Sequence, residues 1–233
     1  MTMLAAWLKT RLTKRLRWLY RDIETPPILD LETFFPEAEA LQMLYPLLRD
    51  EALALYAAQG AIPRFHEISA TQARISASDG KAWRMYLVKS YGHLVARNAA
   101  RTPALAGFLA ANPQVTTAAI SMLDPGKHIP RHRGPFKGIL RYHLCLHAPD
   151  AGSEAAPWLE VDGRRVPYAE GEGLLWDDTF PHEVLNPGPH PRIALLLDVK
   201  RPVRRVAQKL VYRWVLRGGR LYSRLTERRM RVG

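Results

Sequence analysis

The sequence predicts a mainly β fold, an antiparallel sandwich or barrel, with helices at both ends of the chain. From Gln114 onward, short apolar runs alternate with turn-forming residues, as is typical of antiparallel sheets. Before and after that region, apolar residues recur at helical spacing. A chain of 233 residues is long enough to bury one substantial core. We therefore expect one β domain with helical appendages.

The N-terminal segment, residues 1–22, is predicted to form a basic amphipathic helix. Leucines recur there at helical spacing, at Leu4, Leu8, Leu12, Leu16 and Leu19. The opposite face holds lysines and arginines. Pro26 and Pro27 then indicate a connector. A second helical stretch is predicted over residues 36–58, with Pro46 dividing it into two pieces.

Five apolar runs between residues 114 and 202 are predicted to be strands. They are Val115–Leu123, Ile139–Leu146, Pro157–Val161, Gly173–Trp176 and Ile193–Val199. Turn signals such as Asp124-Pro125-Gly126 and Asp162-Gly163 separate several of them. This pattern places a strand core at about 114–202 within a domain of residues 23–202. The tail, residues 203–233, is predicted to be a basic helix to about Arg217, broken at Gly218-Gly219 and then continuing.

Positive charge is concentrated at the two ends of the chain. The net charge is +12, yet residues 23–200 carry 17 basic and 20 acidic residues. Residues 1–22 carry six basic residues and one acid, and residues 201–233 carry eleven basic residues and one acid. Basic helices with Trp at the polar boundary favour anionic membrane surfaces, which we expect both ends to contact. A solvated or partner-binding face is the alternative, and no groove-reading or stacking motif indicates nucleic acid.

The sequence also predicts the compartment. Cys145 is the single cysteine, so no intrachain disulfide is possible, and a small core side chain is the expected role. The apolar start of the chain meets Lys9 too early for a signal peptide. No apolar run approaches the roughly 18 residues of a transmembrane helix. We expect a cytoplasmic protein, peripheral on the inner face of the cytoplasmic membrane.

Two histidines and two arginines form the most informative set of chemical groups. His132 lies just before a predicted strand, and His182 lies between two of them. Imidazole suits ferrous iron, which non-haem oxygenases hold with two His and usually one carboxylate. Arg141 and Arg192 fall within apolar strands, where an unpaired charge is costly. A co-substrate with two carboxylates would match them, because Arg binds carboxylates in bidentate fashion.

Several segments together resemble the aspartyl/asparaginyl β-hydroxylase family. They are Ser121-Met122-Leu123-Asp124-Pro125-Gly126, His132-Arg133-Gly134, Leu140-Arg141-Tyr142-His143-Leu144, Trp176-Asp177-Asp178-Thr179-Phe180-Pro181-His182-Glu183-Val184, Pro191-Arg192-Ile193 and Leu197-Asp198-Val199. The resemblance runs from about Trp83 to Pro202, roughly half the chain. The order and spacing of the segments make it more specific than any single motif.

The resemblance implies a double-stranded β-helix (jelly-roll, cupin-like) in which His132 and His182 bind Fe(II). It implies that Ser121 and Arg192 hold the distal carboxylate of 2-oxoglutarate, and that Arg141 and His143 lie by its metal-proximal carboxylate. Most iron/2-oxoglutarate oxygenases have Asp or Glu two residues after the first His. Gly134 stands at that position here. The family's eukaryotic members also resemble a two-histidine site with glycine there. Water, or an acid such as Asp177 or Asp178, is then expected to support the third iron position.

The implied reaction is hydroxylation of a C–H bond next to a carbonyl, with 2-oxoglutarate and O₂ as co-substrates. Two substrate classes fit the resemblance. One is an acyl chain of a membrane lipid, hydroxylated at carbon 2 in lipid A or ornithine lipid, and the cationic ends favour it. The other is an aspartyl or asparaginyl side chain of a peptide or protein. A non-catalytic jelly-roll module that binds a membrane or partner is the third hypothesis.

Overall fold

Two antiparallel β-sheets face each other in the computed structural model, which describes residue 11 and residues 13–232. The strands are β1 (Ile28–Leu29), β2 (Trp83–Ser90), β3 (His93–Leu94), β4 (Val115–Leu123), β5 (His128–His132), β6 (Ile139–His147), β7 (Trp158–Val161), β8 (Arg164–Pro167), β9 (Gly173–Trp176), β10 (His182–Leu185) and β11 (Arg192–Lys200). In these residues the larger sheet has the order β1–β9–β6–β11–β4–β2–β3, and the smaller has the order β5–β10–β7–β8. The predicted mainly β, double-stranded β-helix fold with flanking helices is confirmed.

Helices flank the sheets. They are α1 (residues 13–19), α2 (Leu31–Phe34), α3 (Ala38–Met43), α4 (Tyr45–Ala57), α5 (Phe65–Ile68), α6 (Ala73–Ser76), α7 (Ala96–Ala99), α8 (Pro103–Ala111) and α9 (Val206–Thr226). The predicted division at Pro46 is confirmed: Pro46 lies in the first turn of α4, where its missing N–H and fixed φ cost nothing. The predicted N-terminal helix is present at α1, and its residues 1–10 and 12 lie outside the described residues.

Helix α9 runs without a break, so the predicted interruption at Gly218-Gly219 is wrong. Gly219 lies against the ring of Tyr91, in the turn between β2 and β3, and a Cβ at position 219 would overlap that ring. The glycine therefore permits a close approach between α9 and the sheet rather than a turn. No helix in the described part of the chain is both long enough and apolar enough to span a membrane.

The space between the two sheets forms the inner core. Leu123, Cys145 and Ala194 reach it from the larger sheet, and Val161 and Val184 reach it from the smaller one. Burial of Cys145 confirms its predicted place as a small core side chain. Alternate residues of the larger sheet point outward, and their outer core packs against α4 and α8. The inner face is therefore the surface on which a site can be built.

The larger sheet extends further toward the N-terminus than predicted. Strand β2 pairs with β4, although the sequence pattern placed the start of the strand core near residue 114. In β2, Trp83, Met85 and Leu87 belong to the inner core, and Tyr86 and Val88 belong to the outer core. A strand that is buried on both faces lacks the polar alternation by which most strands are recognised.

The side chain of Asn98 connects α7, β2 and the C-terminal tail. Its amide nitrogen donates to the carbonyl oxygens of Leu87, at 2.8 Å, and Met230, at 2.7 Å. Its oxygen accepts from the backbone N–H of Val232 at 3.1 Å. Asn98 is fully buried, so no water can replace these bonds.

We expect Asn98→Ala to lower the free energy of unfolding by about 3 kcal/mol, because it leaves three backbone groups without partners. The measurement is urea denaturation followed by circular dichroism. Asn112→Ala is the matched control, since the half-buried Asn112 bonds near the end of α8. It should cost about 1 kcal/mol or less. Equal losses in the two variants would contradict the role given to Asn98.

Candidate active site

His132 and His182 lie side by side on the smaller sheet. They are direct partners in the pairing of β5 with β10, and their ring centroids are 4.1 Å apart. The sequence pattern placed both histidines outside strands, but His132 is the last residue of β5 and His182 is the first residue of β10. Both strands are short and partly polar, so apolar periodicity could not reveal them.

Backbone carbonyl groups orient both imidazole rings. The Nδ1 atom of His132 bonds to the carbonyl oxygen of Pro130 at 2.8 Å, and that of His182 bonds to the carbonyl oxygen of Phe180 at 2.9 Å. A carbonyl oxygen can only accept, so each Nδ1 is the protonated nitrogen. The Nε2 lone pair of each ring is then available to a metal, as in histidine ligands whose second nitrogen is fixed by a carbonyl.

Burial keeps both rings neutral. It lowers the pKa of His132, and together with the adjacent His132 ring it lowers the pKa of His182 to about 3. Neutral imidazole is the form that binds metal ions. Within the described residues, no group of three or more His, Cys, Asp or Glu side chains is placed to hold a metal. The predicted role of His132 and His182 as metal ligands stays a prediction.

The carboxyl group of Asp178 occupies the space beside Gly134. A Cβ on Gly134 would overlap that carboxyl group, and the Gly134 N–H donates to the Asp178 carbonyl oxygen at 2.6 Å. One oxygen of the buried carboxyl group, Oδ2, lies 3.4 Å from Nη2 of Arg141. Burial raises the pKa of Asp178 to about 6, although Arg141 opposes the shift. The carboxyl group of Asp178, in the loop between β9 and β10, thus fills the place where a side chain at position 134 would lie.

We expect Gly134→Ala to destabilise the protein by about 1–3 kcal/mol, because the added methyl group would displace the Asp178 carboxyl group. The control is Gly107→Ala in α8, where Gly107 is exposed and a Cβ meets nothing within 4 Å. That change should stabilise by roughly 0.5–1 kcal/mol, because alanine is the better helix former. Thermal unfolding of both variants measures the direction of each change in stability. Stabilisation by Gly134→Ala would show that Asp178 is not packed there.

Arg141 is balanced by protein carboxylates. Its Nε and Nη2 atoms donate to Oδ1 of Asp198, at 3.1 and 2.9 Å. Burial opposes the charge, but Asp198 and Asp178 hold the pKa of Arg141 above its ordinary value. An anionic ligand is therefore not required to offset the cost of burying this arginine. Its role beside the metal-proximal carboxylate stays a prediction.

Arg192, in contrast to Arg141, has no carboxylate partner among the described residues. Only 2% of the residue is exposed, and no carboxylate of the described residues forms an ion pair with it. Its Nη2 donates to the Tyr168 hydroxyl at 3.1 Å, and the guanidinium lies 4.3 Å from the centroid of that ring. Its Nε and Nη1 are buried without a hydrogen-bond partner. A buried, unpaired cation is costly, so this site is suited to an anion.

His143 extends the same network through Tyr168. Its Nδ1 lies 2.9 Å from the Tyr168 hydroxyl. Because arginine can only donate, that hydroxyl accepts from Arg192, and its own proton is available to His143. Burial, with Arg192 next in effect, holds the pKa of His143 well below its ordinary value. The ring is therefore neutral, and its Nε2 is buried without a hydrogen-bond partner.

Trp176 lies between the histidine pair and the group formed by His143, Tyr168 and Arg192. Trp176 packs edge-on against His182, with centroids 4.5 Å apart, and against His143, with centroids 5.5 Å apart. Its Nε1 is another buried donor without a partner. Trp83 donates from Nε1 to the Ser121 hydroxyl at 3.0 Å, which leaves the proton of that hydroxyl free to be donated.

The side chain of Asp177 stabilises the loop before His182. Oδ1 of Asp177 accepts from the backbone N–H and the hydroxyl of Thr179, at 3.0 and 2.6 Å. Oδ2 of Asp177 accepts from the buried guanidinium of Arg201. These bonds fix the turn between β9 and β10, whereas the Asp178 carboxyl group packs against Gly134 and Arg141 instead.

The residues predicted from the sequence thus divide into two groups. His132 and His182 come together, and His143 joins Arg192 through Tyr168. Ser121 lies on β4 on the same inner face: it pairs with Ala194, two residues from Arg192 along β11. Tyr168 was missed, because a tyrosine beside Pro167 gives no sequence signal of its own. A pocket of about 250 Å³ lined by His143 and Tyr168 opens beside them, between Leu159, Val166 and Leu174.

Comparison with known proteins decides the family. The sequence model described as aspartyl/asparaginyl β-hydroxylase matches residues 43–202. The chain belongs to the aspartyl/asparaginyl β-hydroxylase family. The histidine pair and the arginine network both lie within the matched residues.

Two relatives illustrate the range of the aspartyl/asparaginyl β-hydroxylase family. An ornithine lipid ester-linked acyl 2-hydroxylase of Rhizobium tropici is 32% identical over 81% of this chain and 66% of its own length. Aspartate beta-hydroxylase domain-containing protein 2 of Rattus norvegicus is 28% identical over 85% of this chain and 58% of its own length. The chain thus spans less than two thirds of these relatives.

Among solved structures, the cupin domain of a transcriptional regulator from Enterobacter cloacae aligns with a TM-score of 0.31 and 14% identity. It covers 37% of this chain and 82% of that chain.

Proposed function

We propose that this hydroxylase is iron(II)- and 2-oxoglutarate-dependent. Buried nitrogen atoms without partners support the proposal most directly: Nε and Nη1 of Arg192 and Nε2 of His143. Trp176 packs against both His143 and His182, which places these atoms on the same inner face as the histidine pair. A dicarboxylate with a metal-binding end would satisfy both sets. When bound, iron, 2-oxoglutarate and O₂ would supply the oxidising chemistry that hydroxylates an unactivated C–H bond.

Each residue has a defined part in this proposal. His132 and His182 would hold the iron through Nε2. Arg192 would bind the distal carboxylate of 2-oxoglutarate with Ser121, whose hydroxyl proton is free to be donated. His143 would donate from Nε2 to the same ligand. Asp178, whose carboxyl group fills the space beside Gly134, would support the third iron position, either through water or by orienting a neighbour.

For the substrate we propose the 2-position of an acyl chain in a membrane lipid, either an ornithine lipid or lipid A. The 32% identity to an ornithine lipid acyl 2-hydroxylase supports this class. Hydroxylation of aspartyl or asparaginyl side chains is the second candidate, because another relative is an aspartyl/asparaginyl beta-hydroxylase of Homo sapiens, 33% identical over 82 residues. Both target carbons lie close to a carbonyl group, so one pocket design could serve either.

The test is mass spectrometry of total lipids from bacterial cells that make the wild-type protein, the His132→Ala variant, or neither. We expect a one-oxygen gain in a membrane lipid only with the wild type. A gain that persists in His132→Ala would contradict the proposed ligand. No gain in any lipid would favour the peptide substrate, which peptides containing Asp and Asn, incubated with purified protein, would then test. Absence of turnover on both would leave the non-catalytic module.

A further inference from the structure

One face of α9 presents a row of exposed apolar side chains. These side chains are Val206, Leu210, Trp214, Leu221 and Leu225. Their spacing of four or seven residues places them along a single stripe of the helix. Trp214 is 72% exposed and Leu225 is 77% exposed. An uncovered apolar stripe of this length marks an interaction surface.

A row of basic side chains runs beside the apolar row. It consists of Lys209, Arg213, Arg217, Arg220 and Arg224, all exposed. Four of the five directly precede a residue of the apolar row, so the two rows run in parallel along the helix. No Asp or Glu occurs in Val206–Thr226. The face is therefore apolar along one edge and uniformly cationic along the other.

The opposite side of α9 is already occupied. Tyr212 and Gln208 are buried, and the Tyr212 ring stacks on Phe136, in the loop that follows His132. Gln208 donates to Asp22 and the carbonyl oxygen of Leu19, which attaches α9 to the end of α1. These contacts hold the helix against the body with its apolar row facing solvent.

We propose that this exposed face of α9 is a docking surface for an anionic phospholipid bilayer. Apolar side chains would enter the boundary between headgroups and acyl chains, while the adjacent arginines and lysine meet the phosphates. A second copy of the chain fits less well, because two such faces would oppose their basic rows. Docking would hold the chain at a bilayer surface, which suits the proposed lipid substrate. The surface itself is argued independently of that substrate.

The test is co-sedimentation of the full chain with vesicles of phosphatidylcholine, alone or with phosphatidylglycerol. We expect the anionic vesicles to bind at least tenfold more tightly, with binding weakened by salt. Trp214→Ser/Leu225→Ser and Arg213→Glu/Arg217→Glu should each lose at least tenfold in affinity. The matched controls are Met43→Ser/Leu47→Ser, exposed apolar residues on α3 and α4, and Arg97→Glu/Arg164→Glu, which change the net charge equally. Both controls should bind as the wild type does.

Equal binding to both vesicle types, no binding, or full binding by the α9 variants would overturn the proposal. So would a concentration-dependent dimer that the Trp214→Ser/Leu225→Ser pair abolishes, which would assign the face to a second copy. Thermal melting identifies any variant that fails to fold, and the two α9 pairs test the surface separately. Because vesicle binding requires no turnover, its failure would leave the proposed hydroxylase untouched, and the reverse also holds.

Discussion

His182→Ala is expected to abolish hydroxylation, with a loss of about 100-fold or more, while the protein still unfolds cooperatively. Changes to the residues that support metal ligands already cost 10–100-fold, so loss of a ligand should cost at least as much. Iron binding, measured anaerobically by calorimetry, should disappear in the same variant. The fold should survive because His182 is neutral and forms no ion pair in the described structure.

His190→Ala is the matched control for this experiment. His190 is a surface histidine that also bonds through Nδ1, to Asp150, and it has no place in the inner core. Its replacement should leave iron binding and turnover unchanged. Wild-type turnover in His182→Ala would refute the ligand assignment, whereas loss of activity in His190→Ala would point to a general loss of stability.

Arg192→Met is expected to raise the KM for 2-oxoglutarate by on the order of 100-fold, because charge-assisted bonds to a buried carboxylate are lost. Its stability without ligand should be unchanged or higher, since the substitution removes a buried cation whose Nε and Nη1 lack partners. Thermal melting with and without 2-oxoglutarate measures both effects: the ligand should stabilise the wild type but not the variant.

Arg141→Met provides the contrast. That change would leave the Asp198 and Asp178 carboxylates without their cation, and we expect it to cost about 3–5 kcal/mol of stability. The half-buried Arg141 and the buried Arg192, both on the inner face, would thus respond in opposite directions. If Arg192→Met is the destabilised variant and its KM is unchanged, Arg192 serves structure rather than the co-substrate.

The contrast between the two arginines also shows where sequence reasoning stops. Both lie in apolar strands, so the pattern alone assigned an anionic ligand to each. The structure supplies Asp198 to Arg141, through pairing of β11 with β6, and supplies no carboxylate of the described chain to Arg192. Strand register determines which charges meet, and register depends on long-range pairing that a single sequence does not display.

Short local sequence patterns predict the strands and helix boundaries better than they predict charge pairing. Apolar runs located most strands of the inner core, and Pro46 located a helix boundary. Strands β5 and β10 were not predicted because they are short and partly polar. The predicted helix break at Gly219 was wrong because this glycine contacts Tyr91, which is distant in sequence. Tyr168 and the packing of Asp178 against Gly134 arise only from tertiary contact.

The most direct test of the central claim uses purified protein with Fe(II), 2-oxoglutarate, O₂ and ornithine lipid, measuring succinate and hydroxylated lipid in the same samples. The claim that His132, His182 and Arg192 form an iron and 2-oxoglutarate site predicts equal amounts of the two products, and neither product with His182→Ala. Lipid hydroxylation that proceeds without 2-oxoglutarate, or at the wild-type rate in His182→Ala, would contradict it.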